Sequence, residues 1–228
     1  MIWLAIGLTV VFVFFALFPS ADIAVSRLFY DEGTCGSAAL CGGFPRGADP
    51  AYEAVRQLLY GMPYGVLTVI LMFNSAVFIW YQISLWRDLP VVTALVSCML
   101  IGPLFIVNVV LKEHVLRSRP RDVTIFGGDL PFVPVGQVEG MCSGNCSFVS
   151  GEAAIAPIMM LSVLLFPKAW QKPAFFVLLP ASLLMAGLRL VTGAHYVSDV
   201  VLGYGSTVLV FCILAQLIGR FRATKLAV

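Results

Sequence analysis

The chain has 228 residues, of which 60% are hydrophobic and 11% charged, and its mean hydropathy is +0.97. A soluble domain carries about 25% charged residues, so this composition excludes a water-soluble globule: there is too little polar surface to cover one. The net charge of +2 says little by itself. No nucleic acid partner is expected, and the placement of the charges carries the information.

Six apolar segments stand out, at about Ile2–Phe18, Met62–Trp80, Val91–Leu111, Ser150–Phe166, Ala174–Val191 and Val197–Ile218. Each approaches the ~20 residues that a helix needs to cross hydrocarbon, the fourth being the shortest case. The first has no basic flank, and Phe18-Pro19-Ser20-Ala21 is a poor cleavage site, so it reads as a retained helix. The fold class expected is all-α, a polytopic membrane protein with six transmembrane helices and amphipathic segments on the outer face. Short-loop cations orient it. Arg87, Lys168, Lys172, Arg220, Arg222 and Lys225 fall on one side, together with both termini, and that side reads as cytoplasmic. Lys112, Arg117, Arg119, Arg121 and Arg189 fall on the other side and are attributed to function.

Taken in order, the first apolar helix is followed by Ala21–Asp31, a short amphipathic piece in which Asp22 reads as a cap and Phe29 and Tyr30 suit the headgroup zone. A Gly-rich loop then carries Cys35 and Cys41, and a second amphipathic piece, about Pro50–Tyr60, leads into the next helix. These pieces read equally as a lipid-facing platform or as a lid packed over the bundle. Asn74 reads as an interhelical hydrogen bond. The third helix contains Pro103 and runs into Lys112-Glu113-His114-Val115-Leu116-Arg117-Ser118-Arg119-Pro120. On a helix, Lys112 and Arg119 project from nearly one face, close to two turns apart. Pro120 turns the chain at Arg119. A point charge and a bidentate fork together suit a phosphate.

The long loop from Asp122 to Cys146 holds Cys142 and Cys146. Two close cysteine pairs on one face, Cys35 with Cys41 and Cys142 with Cys146, suggest two disulfides in an oxidising compartment. Cys98 and Cys212 lie within spans and read as packing residues. Next, Ser150-Gly151-Glu152 opens a helix. It reads both as an anion site, built from unpaired N–H groups and the helix dipole, and as a capped helix start with a favourable acid. The last reactive stretch runs from Arg189 to Asp199. His195 and Asp199 are spaced to stack on one helix face. The pair is either a structural cap or a nucleophile whose tautomer Asp199 sets.

The three segments together, Lys112-x6-Arg119-Pro120, Ser150-Gly151 and Arg189-x5-His195-x3-Asp199, resemble the type 2 phosphatidic acid phosphatase superfamily in order and spacing. The resemblance implies that Lys112, Arg119 and Arg189 hold phosphate oxygens, with Ser150 and the Gly151 N–H adding hydrogen bonds. His195 would attack phosphorus to give a phosphohistidine, and Asp199 would orient its ring. No metal or cofactor is implied. Three positions depart from the pattern: Val149 stands for proline, Leu188 for serine, and Glu152 for the histidine that protonates the leaving oxygen. Glu152 is the expected proton donor at that matching position. His114 and Arg117 are auxiliary candidates.

The Ser-Gly-Glu variant, with Asp22-Ile23-Ala24-Val25-Ser26-Arg27-Leu28-Phe29-Tyr30-Asp31, looks like the lipid A 4'-phosphatase group of Gram-negative bacteria. The expectation is one membrane-embedded domain over residues 1–228. Residues 19–61 would form the outer loop and interfacial helices, and 112–152 and 189–199 would carry the reactive segments. Its partners are a phosphorylated lipid substrate and the bilayer, in the bacterial inner membrane with the site facing the periplasm. Phosphatidylglycerophosphate, phosphatidate and undecaprenyl pyrophosphate are alternative substrates, and a phosphotransferase or a binding protein are alternative classes.

Overall fold

The structure, a computed structural model, describes residues 1–33, 43–81 and 89–226. Cys35, Cys41 and Arg87 lie outside the described residues, as do the side chains of Asn74, Arg220, Arg222 and Lys225. The architecture is all-α. Its helices are α1 (Ile2–Leu17), α2 (Ser20–Arg27), α3 (Pro50–Tyr81), α4 (Leu89–Met99), α5 (Lys112–His114), α6 (Gly151–Leu161), α7 (Lys168–Val191) and α8 (Val197–Leu226). Among the described residues, three stretches are long and apolar enough to cross a membrane: Pro90–His114, Lys168–Val191 and Val197–Gly219. The pair α1 and α2, bent by 87°, makes a fourth when counted as one span. The protein is an integral membrane protein.

α6 sits at the centre. It packs against α3, α7, α8 and the π-helical stretch before α5, and every residue from Ala153 to Met159 is buried. Alanines at 153, 154 and 156 let the neighbouring backbones come close. A helix surrounded by protein is apolar all round, and α6 carries no charged residue after Glu152.

Several elements differ from the sequence expectation. The amphipathic piece at Pro50–Tyr60 and the helix after it are one 32-residue helix, α3, which continues through Pro63. α4 passes into a π-helical stretch, Leu100–Leu111, which contains Pro103; a proline removes a ladder donor, and a wider turn accommodates the loss. The helix ends at His114, and Arg119 is extended (φ −78°, ψ 157°). Lys112 and Arg119 therefore do not share a helix face. His195 likewise precedes α8 and sits in the turn before it, with only Asp199 in the helix's first turn. Gly193 shapes that turn: its φ is +63°, and a Cβ there would run into the Phe44 ring. Phe44 in turn clusters with Tyr30 and Phe126, ring centroids 5.1–5.5 Å apart. Tyr30 thus packs in an aromatic cluster within the protein.

Asp22 does not cap α2, whose N-cap is Pro19. Its Oδ1 accepts from the Ser198 N–H at 3.0 Å and its Oδ2 from the Ser198 hydroxyl at 2.6 Å, so it caps α8 from another part of the chain. Arg117 completes the join. Its Nη2 donates to Asp22 at 2.7 Å, its Nη1 to Asp199 at 2.6 Å and to Ser198 at 2.8 Å, and its Nε to the Val133 carbonyl at 2.8 Å. The guanidinium also lies over the Tyr196 ring, 4.2 Å from its centroid. Arg117, Asp22, Ser198 and Asp199 are all fully buried. Two buried carboxylates depend on one cation, and removing one partner of such a pair leaves an uncompensated charge. Arg117→Met should therefore destabilise the protein by about 3–5 kcal/mol, read as a lower thermal midpoint in detergent. A midpoint equal to the wild type would show that the fork is not structural.

Candidate functional site

The site is a cavity of about 340 Å³ at the end of the bundle where α3, α5, α6 and the turn before α8 meet. Lys112, Arg119, Arg189, Gly151, Glu152 and His195 all line it, so the three sequence segments converge on one space. Asn145 joins the first segment together. Its Oδ1 accepts from Lys112 Nζ at 2.9 Å and its carbonyl from Arg119 Nη2 at 2.7 Å. The Asn145 backbone is left-handed (φ +46°), a conformation asparagine tolerates better than most residues. The Cys142–Cys146 disulfide, Cα–Cα 5.9 Å, closes the loop around it. Lys112 also passes close to Gly151: a Cβ there would lie 3.5 Å from its Nζ.

His195 is buried, and its Nδ1 lies 2.7 Å from the Ser147 carbonyl. A carbonyl only accepts, so Nδ1 carries the proton and Nε2 keeps its lone pair. Asp199 is not the direct partner of the ring: its Oδ2 is 3.9 Å from Nδ1. The Ser147 hydroxyl stands between them, donating to Asp199 Oδ2 at 2.5 Å and lying 3.4 Å from Nδ1. Asp199 also accepts from the Tyr196 N–H at 3.0 Å, so its oxygens are held by Arg117, Ser147 and Tyr196. Burial, followed by the charges of Arg189, Arg119 and Lys112, holds the imidazole well below the usual histidine range. The ring is neutral at physiological pH.

Glu152 begins α6, and its Oε1 accepts from Arg56 Nη1 at 2.5 Å and pairs with Arg189 Nη1 at 3.2 Å. Two buried atoms here, Glu152 Oε2 and Arg189 Nε, have no hydrogen-bond partner among the described residues. Arg56 also donates to Glu53, which it and Gln57 hold down at about 2. With Arg56 and Arg121, five cations face two carboxylates around the cavity. Such an excess suits a dianionic phosphate.

Other sequence candidates lie elsewhere. Ser150 does not line the cavity; its Oγ accepts from the Ala153 N–H at 3.3 Å and caps α6. His114 is exposed, with Nδ1 on the Val110 carbonyl at 2.7 Å, and Arg117 lies behind His195 in the buried network. Sequence reading missed Arg56, Glu53, Asn145 and Ser147. The one local signal was at Asn145, an asparagine directly after a glycine beside a paired cysteine.

A family model described as the PAP2 superfamily matches residues 89–223. A lipid A 4'-phosphatase of Rhizobium leguminosarum is 37% identical over 216 residues, 89% of each chain. One of Francisella tularensis subsp. novicida is 28% identical over 200 residues, 86% of each chain. The crystal structure of a transmembrane PAP2 type phosphatidylglycerolphosphate phosphatase from Bacillus subtilis superposes with a TM-score of 0.59 at 18% identity, over 96% of each chain, which shows a shared fold. With the family model matching more than half of its residues and a relative 37% identical along nearly its full length, this chain belongs to the PAP2 superfamily of membrane lipid phosphatases.

Proposed function

We propose that the protein hydrolyses the 4'-phosphate of lipid A at the periplasmic face of the bacterial inner membrane. The observation that carries the chemistry is the buried His195, whose Nδ1–H donates to the Ser147 carbonyl and leaves Nε2 a lone pair, in a cavity with Lys112, Arg119 and Arg189. The substrate comes from the lipid A 4'-phosphatases that match along most of the chain.

In this mechanism Lys112, Arg119 and Arg189 hold the non-bridging phosphate oxygens, and the Gly151 N–H, at the start of α6, adds a donor. His195 Nε2 attacks phosphorus in line with the sugar oxygen. The P–N bond forms as the P–O bond breaks, and the ring charge is offset through Ser147 by Asp199. Asp199 acts as a positioning residue. The departing sugar oxygen takes a proton from Glu152 Oε2. For the first turnover that proton enters from solvent as the phosphate displaces Glu152 from Arg189. Water then attacks phosphorus, Glu152 takes the water's proton, the P–N bond breaks, and inorganic phosphate leaves.

The topology proposed is six spans with both termini cytoplasmic, α3 and α6 crossing beside the other four, and residues 1–228 forming one domain. Lys168 and Lys172 open α7 at the end opposite Arg189, in keeping with that orientation.

Phosphate release by the purified protein from lipid A, phosphatidylglycerophosphate, phosphatidate and undecaprenyl pyrophosphate tests the reading. Lipid A should be preferred, with loss confined to the 4' position, and His195→Ala should be inactive on every substrate. Preference for another lipid would replace the substrate assigned, and an active His195→Ala would remove the phosphohistidine. Glu152→Gln should slow lipid A hydrolysis about 100-fold. In single turnover it should slow release of p-nitrophenolate far less than release of the sugar of lipid A, because p-nitrophenolate leaves without a proton; equal losses in that first step would exclude Glu152 as the acid. Asn145→Ala should weaken orthovanadate inhibition about tenfold by loosening Lys112 and Arg119. An unchanged inhibition constant would mean that the two cations hold their places alone.

A further inference from the structure

A second cavity, of about 360 Å³, adjoins the first, and Lys112, Gly151 and Glu152 line both. Its other walls change in character. α3 supplies Tyr60 and Tyr64, the π-helical stretch supplies Asn108 and Leu104, the end of α4 supplies Met99, and α6 supplies Ile155. From Lys112 the lining positions step back through 108, 104 and 99, each about one turn further along the helix. The cavity therefore follows Pro90–His114 away from the phosphate end and into the span. Charge lies at its top, tyrosine hydroxyls and an amide come next, and aliphatic side chains lie below. Leu104 is 55% exposed within a span, so this side is open to lipid.

The two tyrosines form a corner rather than a stack. Their rings are 5.7 Å apart at 68°, and their hydroxyls are 3.4 Å apart. A corner of this kind offers a flat apolar face and two polar tips, which matches a sugar ring with its C–H face and its hydroxyls. A glycerol backbone has no such face. α3 also lies outside residues 89–223, which the superfamily model matches, yet inside the length shared with the lipid A 4'-phosphatases. This wall of the groove is thus placed to set the substrate rather than the chemistry.

We infer that this groove binds the acylated sugar that carries the phosphate, with the ring in the corner of Tyr60 and Tyr64 beside Asn108 and an acyl chain along Leu104, Met99 and Ile155. The inference rests on the lipid A reading above. It is tested with the full-length protein in mixed micelles, measuring kcat/KM for lipid A, for phosphatidate and for p-nitrophenyl phosphate, which needs no groove. Tyr64→Leu removes one wall of the corner, and Leu104→Trp fills the apolar end from an exposed position. Each should lower the ratio of lipid A to p-nitrophenyl phosphate kcat/KM roughly tenfold, and Tyr64→Leu should lower the ratio of lipid A to phosphatidate as well. Ratios that stay at wild-type values, with wild type preferring lipid A, would overturn the groove and leave the proposed function standing. A wild type that leaves lipid A intact would overturn both. Soluble-ester hydrolysis by the same preparations reports that the variants are folded.

Discussion

The protein depends on one guanidinium. Arg117 is fully buried and serves Asp22 on α2, Asp199 on α8 and the Val133 carbonyl of the long loop. Burial of an arginine is costly, and it is offset only where every donor meets an acceptor. Here the acceptors include two carboxylates that would be equally costly alone. The arrangement fixes the start of α8, because Asp22 can bond the Ser198 N–H only when α2 lies across it. Once α8 is fixed, Asp199 and the Ser147 hydroxyl bracket the proton-bearing side of His195. Order therefore passes from α2 and the long loop to the His195 ring through charges that never meet the cavity.

The other half of the site is built differently. Around the cavity the cations outnumber the acids, and most of their partners are loop or helix-terminal groups: the Asn145 side chain and carbonyl, Glu152 at the start of α6, and Glu53 on the first turn of α3. Two carboxylates are too few to pair off five cations. Burial first, and then this excess of cations, hold the imidazole well below the usual histidine range, and the cavity keeps a net positive field.

The sequence made one half of this legible and hid the other. Long apolar runs mark the helices, and the spacing of lysine, arginine, glycine, glutamate and histidine points to six residues that line one cavity. That success reflects local constraint, since each segment sits at a helix end whose geometry is short-range. Arg56 was invisible because its partner is 96 residues away and its own segment is ordinary amphipathic helix. Asp22 read as the cap of its own helix because acid at a helix start is locally sufficient; only the tertiary fold shows it capping α8. Arg117 and His114 are both auxiliary candidates in the sequence, yet the end of the helix after His114 sends the two in different directions. A hydrogen-bond partner is a property of the packed chain, and periodicity does not encode it.

Glu152 bears on departure as well as on chemistry. A cavity with five cations would hold inorganic phosphate firmly and be throttled by its own product. Glu152 is a tethered anion already bonded to Arg56 and Arg189, so every anion that occupies the site does so in competition with it. In the proposed mechanism that competition weakens the hold on substrate and, once Glu152 has released the proton taken from water, hastens the loss of phosphate. Turnover is favoured when neither ligand is bound more tightly than its transition state requires. The carboxylate at the start of α6 is thus an internal competitor that returns to the arginines whenever the cavity empties.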